Sequence, residues 1–110
     1  MGVPMTTLLV LTNVPDPAIA ERMARHLVEA GLAACVNILA PCRSVYRWQG
    51  TLEEASEIPL LIKSTLQRYP ALESVIKSMH PYDVPEIIAV PITIGWPAYL
   101  GWVDEQTRTA

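Results

Sequence analysis

The segment His80-Pro81-Tyr82-Asp83-Val84-Pro85-Glu86 places an imidazole, a phenol and two carboxylates in one short stretch with two prolines. Proline fixes its own φ, so a connection holding two of them is stiff. A neutral imidazole beside carboxylates suits borderline divalent ions, which makes a preorganised polar or metal site one reading. The other is structural: His80 closes a helix at the negative end of its dipole, and Tyr82 is a packed ring with a bonded hydroxyl. One histidine does not make a coordination set, so these residues alone weigh toward structure.

Cys35 stands in Ala33-Ala34-Cys35-Val36-Asn37-Ile38. It reads either as a thiolate ligand for a soft ion such as Cu(I) or, more commonly for a cysteine in a strand, as a small buried hydrophobe. Cys42 follows Pro41 in an expected loop. Tyr46, Trp48, Glu57 and Lys63 project from an expected hairpin, where aromatics line a ligand pocket or clamp a neighbouring subunit. Glu57 and Lys63 share a strand face by parity, yet roughly 20 Å of strand separates them. Each must pair with another element or another chain. Asn37, inside an apolar stretch, needs a hydrogen-bond partner. No phosphate loop, nucleophile elbow or His-Glu-x-x-His word occurs, and nothing local activates a Cys–His pair. A non-enzyme is therefore expected.

Elements must position these groups. Thr7–Asn13 reads as a buried strand, and Asp16 with Pro17 opens a helix whose face is Ile19, Met23, Leu27 and Ala30, stopped by Gly31. Leu32–Leu39 reads as a strand interrupted by Pro41 and resumed over Ser44–Trp48. Gly50 turns the chain into a second long strand, where Ile58, Leu60 and Ile62 share one face. Leu72, Val75, Ile76 and Met79 fall at helical spacing, ended by His80-Pro81. Pro85–Ile94 reads as a strand buried on both faces, and Gly95-Trp96-Pro97 starts a last helix with Tyr99, Leu100 and Val103 inward. The order β-α-β-β-α-β-α is an α+β, ferredoxin-like βαββαβ sandwich with an extra C-terminal helix and a long hairpin. Pro59 and Pro91 cannot donate to a ladder, so each belongs at an edge or a bulge.

Composition narrows the function. The 110 residues suit one domain, 1–110, with 51% hydrophobic and only 17% charged residues. That is more apolar surface than one small core absorbs, and a subunit interface is the natural outlet. A net charge of −3 with scattered arginines gives no footprint for nucleic acid. No apolar stretch spans a bilayer, no basic leader precedes Arg22, and the cysteines form no framework, so a reduced, cytoplasmic setting is expected. Met1-Gly2-Val3-Pro4-Met5-Thr6 matches an acylation pattern without a supporting basic patch.

Taken together, Ala33–Ile38, Ser44-Val45-Tyr46-Arg47-Trp48-Gln49-Gly50, Glu57 with Lys63, His80–Ile87 and Tyr99-Leu100-Gly101-Trp102 resemble the CutA divalent-cation tolerance family in order and spacing, from Leu8 to about Thr107. The resemblance implies a ferredoxin-like protomer in a tight homotrimer, similar in architecture to PII signalling proteins, with the hairpin reaching across to neighbours. It implies an association with copper and other divalent ions, zinc among them, and no firmly established reaction. Carried over by position, Cys35, Glu57 and His80 would be the metal contacts. Tyr46, Trp48, Lys63, Tyr82 and Glu86 would line a cleft between subunits, which could take a small ligand instead. Besides metal response, a PII-like ligand sensor and a trimeric interaction scaffold are the competing functions. Pro41 and Pro59 depart from the family's usual pattern, and hairpin pairing beside them is expected to be bulged or shortened.

Overall fold

A computed structural model describes residues 6–108; the first five residues of the acylation pattern lie outside the described residues. Eight elements follow in order: β1 (Thr7–Val14), α1 (Pro17–Glu29), β2 (Cys35–Ile38), β3 (Cys42–Trp48), β4 (Thr51–Thr65), α2 (Tyr69–Met79), β5 (Ile88–Pro91) and α3 (Pro97–Thr107). All pairings are antiparallel, in the order β2-β4-β1-β5 with β3 also on β4. This is the ferredoxin-like arrangement with an added helix.

The local reasons are visible. The Asp16 carboxylate accepts from the Ile19 N–H at 2.9 Å, capping α1. Gly31, at φ 70°, reverses the chain after it. Ala20, Met23, Ala24 and Leu27 form the buried face of α1, while Ala30 is exposed, one turn beyond where the sheet ends the contact. Ile58, Leu60 and Ile62 of β4 meet Val14, Thr12 and Val10 of β1 in register. With Leu72 and Ile76 of α2 they make the core against the helices.

Pro41 splits the expected second strand. Ile38 pairs with Leu60, yet Cys42 pairs with Glu57, so three residues on one side face two on the other. That is a one-residue bulge. The Pro59 carbonyl accepts from the Leu39 N–H at 3.0 Å. In an extended residue the nitrogen and carbonyl point the same way, so the donor that Pro59 lacks would have faced the bulge. Pro91 ends the edge strand β5.

Two expectations change. The last strand is only Ile88–Pro91, because residues 81–87 are spent on the connection from α2. It is not buried on both faces: Ile88 and Val90 are half exposed, on the sheet face away from α1 and α2. In α3, Val103 and Thr107 are the buried residues; Tyr99 and Leu100 are only partly covered.

Beyond Glu57 the β3–β4 ribbon pairs only with itself, and the molecule is 52 Å long by 25 and 23 Å. Gln49 (φ 50°) and Gly50 (φ 81°) form its two-residue turn between Trp48 and Thr51. Positive φ at both positions is the type I′ pattern, for which Asn-Gly is the preferred pair. Gln49→Asn should therefore stabilise the fold by about 0.5–1 kcal/mol, read as a higher urea midpoint with an unchanged slope.

Candidate functional site

Pro81 excludes helix at the residue before it, so His80 leaves α2 in extended conformation, φ −85° and ψ 133°. This turns the imidazole toward the end of β1. Nε2 lies 2.6 Å from the Asn13 carbonyl, and the Tyr82 backbone N–H reaches Nδ1 at 3.2 Å. A carbonyl only accepts and an N–H only donates. The ring is therefore the neutral tautomer with its proton on Nε2. The Tyr82 ring packs beside it, 4.6 Å away and tilted by 54°.

The Tyr82 hydroxyl donates to Glu57 Oε2 at 3.2 Å, joining the connection to β4. Glu86 Oε1 accepts from the Asn13 side-chain amide at 3.4 Å. Between these groups lies a cavity of about 400 Å³ lined by Asn13, Ser44, Tyr46, Glu57, Tyr82 and Glu86, with Val45 and Val84. A second cavity of about 300 Å³ shares Tyr46, Tyr82 and Val84 with it and adds Trp48, Pro81 and Asp83. The ionisable carboxyls on both walls are Glu57, Asp83 and Glu86, and no lysine, arginine or histidine lines either.

Tyr46, Trp48, Glu57, Tyr82 and Glu86 are thus brought together. Cys35 and Lys63 are not. They face each other across β2 and β4, six strand residues from Glu57, which is roughly 20 Å. There the Lys63 ammonium donates to Asn37 Oδ1, and the Cys35 thiol approaches the same oxygen at 3.9 Å. This answers the need of Asn37 for a partner. A larger cavity, about 630 Å³, sits between β1, β5 and α3 and is lined mainly by apolar and threonine side chains. It carries no cluster of chemistry-bearing groups.

Asn13 was not singled out by sequence, although it holds both His80 and Glu86. The available signal was an amide closing an apolar strand, where a polar group needs a stated partner.

The residues of one chain do not fit a metal ion. His80 has both ring nitrogens committed within the fold, and Cys35 lies in the other cluster. Among the described residues no group of three His, Cys, Asp or Glu side chains could hold an ion. A structural copper or zinc site needs about four converging ligands. Carboxylates and phenols are what the cleft offers, a hard oxygen set better suited to loose contact than to soft-metal capture.

Burial, the Glu57 charge and hydrogen bond, and Tyr46 together push the Tyr82 phenol above the ordinary 10.0. Burial first, then Cys35, raises Tyr99. Burial and the hydrogen bond to Glu73, 2.8 Å long, carry Tyr69 up to about 12. Below pH 10 these hydroxyls are neutral in folded and unfolded chains alike, and their contribution is whole. Above it the unfolded chain ionises first, so stability falls as pH climbs toward the folded values. An alkaline titration of phenolate absorbance should show a last phase near pH 12 that Tyr69→Phe removes.

Comparison with known proteins agrees with this architecture. The sequence model of the CutA1 divalent ion tolerance protein family matches residues 8–106. The divalent-cation tolerance protein CutA of Thermus thermophilus is 48% identical over 99 residues, 90% of this chain and 96% of that protein. The crystal structure of CutA1, a stable protein from the psychrotrophic bacterium Shewanella sp. SIB1, superposes with a TM-score of 0.92 at 42% identity, covering 97% of this chain and all of that one. The structure of the periplasmic divalent cation tolerance protein CutA from Archaeoglobus fulgidus superposes with a TM-score of 0.89 at 35% identity, covering 93% of this chain and 99% of that one. The chain belongs to the CutA1 divalent ion tolerance family.

Proposed function

We propose that the protein is a non-catalytic homotrimer that acts in divalent-cation tolerance, with the acidic, aromatic cleft between β3–β4 and the α2–β5 connection as its working site. The observation that carries this reading is the lining of that cleft: three carboxylates and no basic side chain. Copper is the first ion to test and zinc the second, met by Glu57 and Glu86 rather than by imidazole or sulfur. Trimerisation is supported by the uncovered sheet face, where Leu9, Leu11, Leu61, Ile88 and Val90 are only half buried, and by Val45 and Leu52 on the hairpin, 64% and 72% exposed. Apolar surface of this extent calls for a partner, and a second and third copy supply it without further components. Among the described residues no nucleophile stands beside an activating base, which favours a binding role over an enzyme. Neither nucleic acid nor a membrane is a proposed partner: the chain is acidic, and no helix among the described residues is long and apolar enough to cross a bilayer. A cytoplasmic site of action accords with the two unpaired cysteines.

Native mass spectrometry of chelator-stripped protein, titrated with Cu(II) and then Zn(II), tests the proposal. A trimer that loads a fixed number of ions, and loads fewer as Glu57→Gln and Glu86→Gln, is the expected result. A monomer, or uptake indifferent to both substitutions, would sink it. A second reading, a small-ligand sensor, is favoured by the size of the cleft, which far exceeds a bare ion.

A further inference from the structure

We draw no further inference here: the strongest candidate, the cavity of about 630 Å³ between β1, β5 and α3, flanked by the Thr65 hydroxyl that is buried without a partner opposite the lining residue Thr7, carries none, because that hydroxyl is not on its wall and nothing in the structure shows what fills or covers it.

Discussion

His80→Ala should lower folding stability by about 2–5 kcal/mol while leaving cation uptake at the cleft unchanged. The imidazole is 7% exposed, and its removal deletes packing against the Tyr82 ring. It also leaves the Asn13 carbonyl and the Tyr82 N–H without their partner. An unmet buried donor or acceptor costs about 1–3 kcal/mol by itself. Urea midpoints at a fixed protomer concentration read the loss, since association couples to stability. Native mass spectrometry reads uptake. A stability change within about 0.5 kcal/mol, the range of an ordinary surface substitution, together with lost uptake would restore His80 as a ligand. The proposal separates two residues that the family resemblance grouped: His80 holds the connection in place, and Glu57 meets the cation.

Leu60→Ala is the second large effect, at about 2–5 kcal/mol. Leu60 has no exposed surface and lies in β4 where that strand is flanked by β1 and by β2, opposite Thr12 and Ile38. A cavity there cannot collapse easily, because strands on both sides and the helices above fix the backbone. Leu52→Ala, 72% exposed on the same strand, is the contrast. In dilute protein it should change stability by no more than about 0.5 kcal/mol. Equal losses for the two would mean that the distal hairpin is as tightly enclosed as the core.

Periodicity made most of the fold legible. The spacing of Met23 and Leu27, and of Leu72 and Ile76, encodes the two helices whose buried faces these residues form. The alternation of Ile58, Leu60 and Ile62 encodes the covered side of β4. Pro59 and Pro91 were informative because a missing N–H has few tolerable places in a sheet: Pro59 faces a bulge and Pro91 ends an edge strand. Pro41 and Pro59 announced a bulge or a shortening beside them; that it is one extra residue at 39–41 was not readable, since it depends on how β2 and β3 meet β4 rather than on either strand's pattern. The extent of β5 was overread for a related reason: an apolar run does not say whether its cover comes from the same chain.

The site divides in the same way. The family words set Tyr46, Trp48, Glu57, Lys63, Tyr82 and Glu86 around one cleft; within the chain the hairpin and the proline-bounded connection bring all of these but Lys63 together. The words did not reveal that the His80 ring would be spent on backbone groups, since hydrogen-bond partners far apart in sequence leave no local pattern. Nor did they separate Cys35 from Glu57 in space. That separation follows from strand length alone once Cys35 is placed opposite Lys63.

The hairpin also orders events in time. Trp48 and Thr51 are joined by two residues, whereas Thr7 must find Thr65 and Leu8 must find Pro91 across most of the chain. A hairpin closes in about 1–10 µs, and long-range pairing waits on slower loop closure. β4 is therefore extended before β1 arrives, and it presents β1 with a ready edge. Substitutions that weaken the turn at Gln49 and Gly50 should act mainly on the rate of folding, and those in β5 mainly on the rate of unfolding. On this order, the ribbon that projects furthest from the finished core is expected to be the part from which assembly begins, and folding and unfolding rates of the turn and β5 variants check it.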